Sequence, residues 1–308
     1  RRRKQTGFRL IIQIRLDPEK GLRREEYSGT LPGLVREVFL MPATKITVLD
    51  IIQKKQQKEK ITMLTAYDFP MAVILAKAGI DMLLVGDSAG MVFAGESNSL
   101  SVTMEHMLYH TRSVAAAKPS SIIVGDMPFM SYQLSPQQAA DNAGRFISEG
   151  KAEAVKLEGG AEFVREIEAI LKCGIPVVGH LGLTPQSIHK FGGFKVQGRD
   201  EAAAKKLLED ALAIQQAGAF CIVLECVPAE LAKKVTETLI VPTIGIGAGS
   251  DCDGQVLVTP DLLGLFERFT PKFVKRYAHL APLIEEAVKT YIEEVKSGEF
   301  PGAEHCYK

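Results

Sequence analysis

Short apolar runs alternate with longer amphipathic stretches along most of this chain. Most of the short runs are apolar throughout, which is typical of parallel strands that are buried on both faces. We predict strands over residues 61–66, 82–86, 121–125, 154–157, 175–179, 220–224, 242–246 and 255–258. Between them the apolar positions follow a helical period, and we predict helices over residues 48–58, 69–78, 103–117, 136–149, 161–172, 201–217, 229–238 and 272–297.

Strands and helices that alternate in this way predict an α/β fold. Eight such strands are typical of a (β/α)8 TIM barrel, and a doubly wound open sheet is the main alternative. Thr47 and Ser135 are placed to cap the helices that follow them. Two details are irregular: little helix fits between Gly247 and Gln255, and the last helix is expected to break near Pro282.

The beginning of the chain differs from the rest. It opens with Arg1-Arg2-Arg3-Lys4 and mixes charged residues with Gly and Pro. Neither a secretory signal nor a transit peptide fits, because the apolar stretch is interrupted and acidic residues are present. We interpret residues 1–40 as a non-native or disordered N-terminal extension. Residues 41–308 are predicted to form a single (β/α)8 barrel catalytic domain.

Composition narrows the class of protein. Lys plus Arg equals Asp plus Glu at 37 each, so the formal net charge of zero argues against a nucleic-acid or membrane-surface role. No apolar run reaches the roughly 18 to 20 residues of a membrane span. The chain has five cysteines and no CxxC motif. We therefore expect reduced thiols in a cytoplasmic protein rather than a disulfide framework or a zinc site.

Four of the predicted strands are followed directly by a carboxylate. These residues are Asp87, Asp126, Glu158 and Glu225. In a parallel barrel the carboxyl ends of the strands share one rim, where catalytic residues lie. Carboxylate oxygens are ligands that Mg²⁺ prefers, and the first three of these acids favour a magnesium site. The alternative is that the acids cap the following helices or form ion pairs with Lys and Arg.

Three other residues are candidates for the same site. Lys156 lies two positions before Glu158, so both side chains face the same side of the strand, and its ammonium could bind a substrate carboxylate or form an ion pair. His180 could donate a hydrogen bond to the substrate or be structural, and Ser88 offers a hydroxyl beside the metal site. Glu225 could be a general base, a fourth ligand or a buried ion-pair partner.

Two glycine-rich segments complete the candidate features. Residues 181–199 are long enough for a mobile active-site loop. Residues 245–249 read Gly-Ile-Gly-Ala-Gly, which is similar to a phosphate-binding turn but fits close packing equally well.

The motifs together resemble the ketopantoate hydroxymethyltransferase family. The match runs in consistent order from about residue 44 to the C-terminus, and residues 1–40 lie outside it. It includes Val85-Gly86-Asp87-Ser88, Val155-Lys156-Leu157-Glu158 and Thr184-Pro185-Gln186. The matching segments are 65–68, 85–91, 126–130, 155–160, 179–186, 192–199, 224–228, 244–249 and 301–305.

The resemblance implies a barrel of the phosphoenolpyruvate/pyruvate type and a large homo-oligomer, often of ten subunits. It implies transfer of a hydroxymethyl group from 5,10-methylenetetrahydrofolate to 3-methyl-2-oxobutanoate, which gives 2-dehydropantoate for pantothenate synthesis. Mg²⁺ would be held by Asp87 and Asp126 with help from Glu158. The 2-oxoacid would contact Asp87, Ser88, Asp126 and Lys156, and Glu225 would accept the proton.

Two other functions remain open. One is a Mg²⁺-dependent carbon–carbon lyase or mutase of the same superfamily, although no catalytic cysteine loop of the lyase type is evident. The other is a barrel that serves only as a binding or scaffold protein, in which the acids would be ion-paired. Turnover without folate would indicate the lyase or mutase, and no stabilisation by Mg²⁺ would indicate the scaffold.

Overall fold

The computed structural model describes residues 44–266 and 270–307. The predicted extension over residues 1–40 lies outside the described residues. Eight parallel strands form a closed barrel in sequence order, so the barrel prediction is confirmed and the open sheet is wrong. The strands are β1 (Ile61–Thr65), β2 (Met82–Val85), β3 (Ile122–Asp126), β4 (Ala154–Glu158), β5 (Val177–Gly182), β6 (Cys221–Glu225), β7 (Thr243–Ile246) and β8 (Gly254–Leu257).

Helices follow most of the strands. Thr47 and Ser135 cap their helices as predicted, each accepting a hydrogen bond from a backbone N–H of the first turn. No helix in the described part of the chain is long and apolar enough to cross a membrane. The helices are α1 (Val48–Gln57), α2 (Phe69–Ala78), α3 (Ala89–Val92), α4 (Met104–Ala115), α5 (Pro136–Ser148), α6 (Val164–Lys172), α7 (Ile188–Phe191), α8 (Glu201–Ala217), α9 (Ala229–Thr238), α10 (Thr259–Leu262) and α11 (Leu280–Ser297).

Alternate residues of most strands belong to two separate apolar clusters. Val124 and Val223 lie in the cluster that fills the barrel, whereas Val155 and Leu224 pack in the cluster between the strands and the helices. This alternation follows from the two-residue period of a strand. Because of this alternation, polar residues at the carboxyl ends of the strands that occupy barrel-facing positions point towards the barrel axis.

The amino-terminal end of the barrel is covered by α1. Ile51 is fully buried in the interior cluster, and Val48 and Ile52 pack against it. Lys45 precedes α1 and fixes this segment against the barrel, because its Nζ donates to the carbonyl oxygen of Ser121 just before β3. Apolar side chains therefore close this end of the barrel.

Three local predictions need correction. The fifth strand was predicted over residues 175–179 but runs to Gly182, because hydrogen bonding to both neighbouring strands outweighs the poor strand propensity of its glycines. The last helix does not begin at residue 272 or break at Pro282. It begins at Leu280 and is continuous, since a proline in the first turn lacks only an N–H that has no helical partner there.

The connection from β7 to β8 contains no helix, as its length predicts. Its glycines are closely packed: a Cβ on Gly247 would lie 2.8 Å from the Phe273 ring, and one on Gly249 would lie 2.7 Å from the Ala229 Cβ. These contacts support the packing role of residues 245–249 over the phosphate-binding one.

Candidate active site

Strand register brings the predicted polar residues to one level of the barrel. Asp126 on β3 is the register partner of Lys156 on β4, and Glu158 on β4 is the partner of His180 on β5. All four side chains are nearly inaccessible to solvent. The prediction that Lys156 and Glu158 share a face is confirmed. Both lie at alternate positions of β4 after Ala154, which faces the barrel interior.

Lys156 is the cation at the centre of this group. Its Nζ lies 2.7 Å from Asp126 Oδ1 and 4.0 Å from Glu158 Oε1. Burial lowers the pKa of Lys156, but the nearby carboxylates of Asp126, Glu158 and Asp87 outweigh burial and raise it. The ammonium therefore stays charged while it is out of contact with water.

His180 connects the centre of the group to Glu225. Its Nδ1 lies 3.2 Å from Lys156 Nζ and 3.4 Å from Glu158 Oε1, and its Nε2 lies 3.2 Å from Glu225 Oε2. Burial and the charge of Lys156 lower the pKa of His180, but the two glutamates close to its ring outweigh them and raise it to about 9. The two glutamates therefore favour the charged form of the imidazole, and the Lys156 ammonium 3.2 Å from Nδ1 opposes it.

Asp87 completes the group from the end of β2. Its backbone N–H donates to Asp126 Oδ2 at 3.2 Å, which places the two aspartates side by side. Burial, together with the charges of Asp126 and Glu158, raises the pKa of Asp87 well above its usual value. Ser88 lies at the same end of the barrel, where its hydroxyl is 2.9 Å from the hydroxyl of Tyr67.

The donor set fits a hard divalent cation. Burial raises the pKa of both Asp87 and Asp126, so each buried carboxyl lacks enough positive charge nearby to favour its ionised form fully. Asp126 Oδ1 is buried and, among the described residues, has no aligned hydrogen-bond donor despite its short distance to Lys156 Nζ. Mg²⁺ often binds through one or two carboxylates and completes its shell with water and substrate oxygens.

Glu158 is less free to bind a metal directly. Gln186 N donates to its Oε2 at 3.0 Å, and His180 and Lys156 face its Oε1. Burial raises the pKa of Glu158, but these partners outweigh it and the pKa is lowered. Within residues 44–266 and 270–307, no group of three or more His, Cys, Asp or Glu residues is arranged to hold a metal ion. The direct or water-mediated role of Glu158 stays a prediction.

Two buried residues of the site had no role in the sequence predictions. Tyr132 donates from its hydroxyl to the Glu158 carbonyl at 2.9 Å, and Gln186 Nε2 donates to Asp87 Oδ2 at 3.0 Å. Gln186 lies in the segment predicted to be a mobile loop, but this part is buried and forms a 3₁₀ turn that leads into α7. The position of Gln186 directly after Thr184-Pro185 is the one sequence feature that could have pointed to it. Nothing in the sequence distinguishes Tyr132 from an ordinary aromatic residue of the core.

Comparison with known proteins decides the family. Residues 45–303 match the family model described as ketopantoate hydroxymethyltransferase. The chain belongs to the ketopantoate hydroxymethyltransferase family. Curated relatives named 3-methyl-2-oxobutanoate hydroxymethyltransferase include that of Syntrophomonas wolfei, 59% identical over 85% of this chain and 95% of the relative, and that of Geobacter sulfurreducens, 58% identical over 85% and 98%. The prediction that this chain is a member of the hydroxymethyltransferase family is therefore confirmed.

Solved structures support the barrel type of the family. A phosphonopyruvate hydrolase in complex with oxalate and Mg²⁺ aligns with a TM-score of 0.54 at 12% identity, over 84% of this chain and 92% of that one. A 2,3-dimethylmalate lyase, described as a PEP mutase/isocitrate lyase superfamily member, aligns with a TM-score of 0.52 at 16% identity, over 83% and 89%. At these identities the likeness concerns the fold alone, and it agrees with the predicted (β/α)8 barrel.

Proposed function

We propose that this member of the ketopantoate hydroxymethyltransferase family transfers a hydroxymethyl group from 5,10-methylenetetrahydrofolate to 3-methyl-2-oxobutanoate. The products are 2-dehydropantoate and tetrahydrofolate, and one water supplies the new hydroxyl group. The observation that carries this proposal is the group of four carboxylates around Lys156 and His180, of which Asp87, Asp126 and Glu158 are buried. This arrangement suits a metal site beside a base.

The metal would be held by Asp87 and Asp126, with Glu158 acting through a water molecule. When bound, Mg²⁺ would act as a Lewis acid on the ketone oxygen and so make the adjacent carbon more acidic. Lys156 would bind the substrate carboxylate as a buried point charge. Support for Mg²⁺ comes from the donor set and from the phosphonopyruvate hydrolase of similar fold, which was solved with Mg²⁺ and oxalate, a small dicarboxylate.

Glu225 would remove the proton from C3 of the 2-oxoacid. It is the most exposed of the four acids, with a side chain 16% exposed, so it can meet a substrate that enters from the carboxyl end. His180 faces Glu225 Oε2 and would orient the carboxylate towards C3. The carbon that has lost its proton would then bond to the methylene carbon of the folate as one of its two C–N bonds breaks. Water would replace the second folate nitrogen on that carbon, which leaves the hydroxymethyl group on the product and releases tetrahydrofolate.

The direct test is an assay of the purified chain with 3-methyl-2-oxobutanoate and 5,10-methylenetetrahydrofolate, with Mg²⁺ or with EDTA. We expect 2-dehydropantoate only when folate and Mg²⁺ are both present, and none from an Asp126→Asn variant. Cleavage of a carbon–carbon bond without folate would instead identify the chain as a lyase or mutase of the superfamily. Absence of both activities would overturn the proposal.

We also propose that the chain functions in the cytoplasm as a homo-oligomer of up to ten subunits. Helix α11 supports this assembly, because none of its residues is buried and its apolar side chains are exposed at helical spacing. The exposed apolar positions are Leu283, Ile284, Val288, Tyr291, Ile292 and Val295. Light scattering should give a mass several times that of one chain, and Val288→Glu should lower it.

A further inference from the structure

Gln186 connects the ends of several strands through one side chain. It lies in the 3₁₀ turn Pro185–Ser187 that follows β5 and is 6% exposed. Its Nε2 donates to Asp87 Oδ2 at 3.0 Å and to the Met127 carbonyl at 2.9 Å, so it joins residues that follow β2 and β3. Its backbone N–H donates to Glu158 Oε2 at 3.0 Å, which adds the end of β4.

The surroundings allow only one orientation of the Gln186 amide. The partners of Nε2 are a carboxylate and a carbonyl, which both accept hydrogen bonds. On the other side, Oε1 accepts a hydrogen bond from Gln133 Nε2 at 3.0 Å and lies 3.0 Å from the Tyr132 hydroxyl, whose proton is donated to the Glu158 carbonyl. A flipped amide would place its oxygen against two acceptors and its NH₂ group against the Gln133 donor. The network therefore directs the donor side of the amide at Asp87.

We propose that Gln186 is a positioning residue for the divalent cation, because it fixes the carboxylate of Asp87 with a neutral donor. This inference rests on the proposed function, in which Asp87 is a metal ligand. Groups that hydrogen-bond metal ligands set their orientation and strengthen metal binding. A neutral amide suits this task better than Lys or Arg, since a second cation beside Asp87 would repel the metal ion.

The neighbouring acids explain why Asp87 needs such a partner. Asp126 lies directly beside it, because Asp126 Oδ2 accepts the Asp87 backbone N–H, and Lys156 is bound to the far oxygen of Asp126. Asp87 therefore has repulsive neighbours, and no Lys, Arg or His of the described residues forms an ion pair with it. The Gln186 donor holds one oxygen of Asp87 at a fixed place despite this repulsion.

The test measures binding of Mn²⁺ alone by electron paramagnetic resonance, without substrate or folate. For Gln186→Met, which keeps the side-chain length but has no donor, we expect Mn²⁺ affinity to fall by about 10- to 100-fold. Gln133→Met is the matched control, because it removes one donor to Gln186 Oε1 and leaves the contact to Asp87 in place. Its Mn²⁺ affinity should stay close to that of the wild type.

Two further measurements separate positioning from general damage. High Mg²⁺ should restore most of the kcat of Gln186→Met if the amide acts through the metal, whereas a misfolded site would not recover. If Gln186→Met does not fold, Gln186→Asn serves instead, since its shorter amide cannot reach Asp87. Equal Mn²⁺ affinity in the wild type and the folded variant would overturn the inference. Failure of the wild type to bind Mn²⁺ would instead overturn the metal site of the proposed function.

Discussion

Lys156 and Asp126 form a buried ion pair between adjacent strands, with Nζ 2.7 Å from Oδ1. They are also register partners, so the pairing of β3 with β4 sets their contact. Removal of one member of a buried pair leaves an uncompensated charge. The consequence for stability can be measured separately from catalysis.

Substitution of Lys156 by Met should lower the free energy of unfolding by about 3 to 5 kcal/mol, because Asp126 and Glu158 lose their cation. Urea denaturation in EDTA measures this loss. Lys205→Met is the control, since Lys205 forms an exposed pair with Glu209 at 3.8 Å, and it should cost less than about 1 kcal/mol. Equal stability of the two variants would show that the buried pair is not needed for the fold.

Asp87→Asn should stabilise the metal-free protein while it abolishes the response to metal. Burial and the charges of Asp126 and Glu158 disfavour ionised Asp87, so removal of its charge relieves repulsion. We expect a gain of about 0.5 to 2 kcal/mol in EDTA, a range typical of stabilising changes at functional sites. Thermal unfolding with and without Mg²⁺ measures both effects. A destabilised metal-free variant would contradict this account of the repulsion.

Glu225→Gln should still bind 3-methyl-2-oxobutanoate but should not exchange its C3 proton. Loss of a general base slows proton transfer by about 10²- to 10⁴-fold. Proton NMR in D₂O with Mg²⁺ follows the exchange directly, without folate. The control is Glu230→Gln, which changes an exposed acid on α9. Exchange at the wild-type rate in Glu225→Gln would assign the base to another group.

His180→Gln should change how stability depends on pH. The folded-state pKa of about 9 lies above the ordinary 6.5, so protonated His180 contributes stability that is complete below pH 6.5 and is lost as pH rises through 9. The stability difference between the wild type and His180→Gln should therefore shrink over this window, by on the order of 3 kcal/mol at most. Urea denaturation in EDTA at pH 6 and pH 10, on either side of the two pKa values, measures the change. A difference that is the same at both pH values would mean that the imidazole is not charged in the folded protein.

Gly182→Ala should reduce kcat through the position of Glu225. Gly182 has φ +94°, and a Cβ there would overlap the carbonyl oxygen of Glu225 and lie 2.7 Å from Val227 Cγ2. Gly174→Ala is the control, since Gly174 also has positive φ (+76°) but nothing within 4 Å of its added Cβ. Backbone strain should cost each variant about 1 to 2 kcal/mol of stability, and the overlap should make the loss larger for Gly182→Ala. Only Gly182→Ala should also lose activity under conditions where it is fully folded.

The barrel and the inward direction of its acids could be predicted because they depend on local periodicity. A two-residue period places Lys156 and Glu158 on one face whatever the neighbouring strands do. The contact between His180 and Glu225 depends instead on the register of β5 against β6, where Gly182 and not His180 is opposite Glu225. Register between strands is a property of the closed barrel, so the sequence pattern could not predict this pair.

Gln186 and Tyr132 show a second limit of prediction from sequence. Both residues contribute to the site through hydrogen bonds to residues that are distant in sequence. The bond from Gln186 to Asp87, for example, joins residues 99 positions apart. A lone amide or a tyrosine in a connecting segment carries no periodic signal. Charged residues at strand ends were found because they violate the expectation of an apolar core, whereas neutral polar residues with satisfied hydrogen bonds do not.

The apolar cover that α1 forms over the amino-terminal end has a kinetic consequence. Side chains such as Ile51 fill that end, so a molecule that reaches Asp126 enters and departs through the carboxyl end alone. In the proposed reaction, a small oxoacid at the depth of Lys156 would lie beneath a larger cosubstrate that binds after it. Depth would then set the sequence of arrival and departure: the small substrate would come first, and its product would leave only after the larger molecule above it has dissociated.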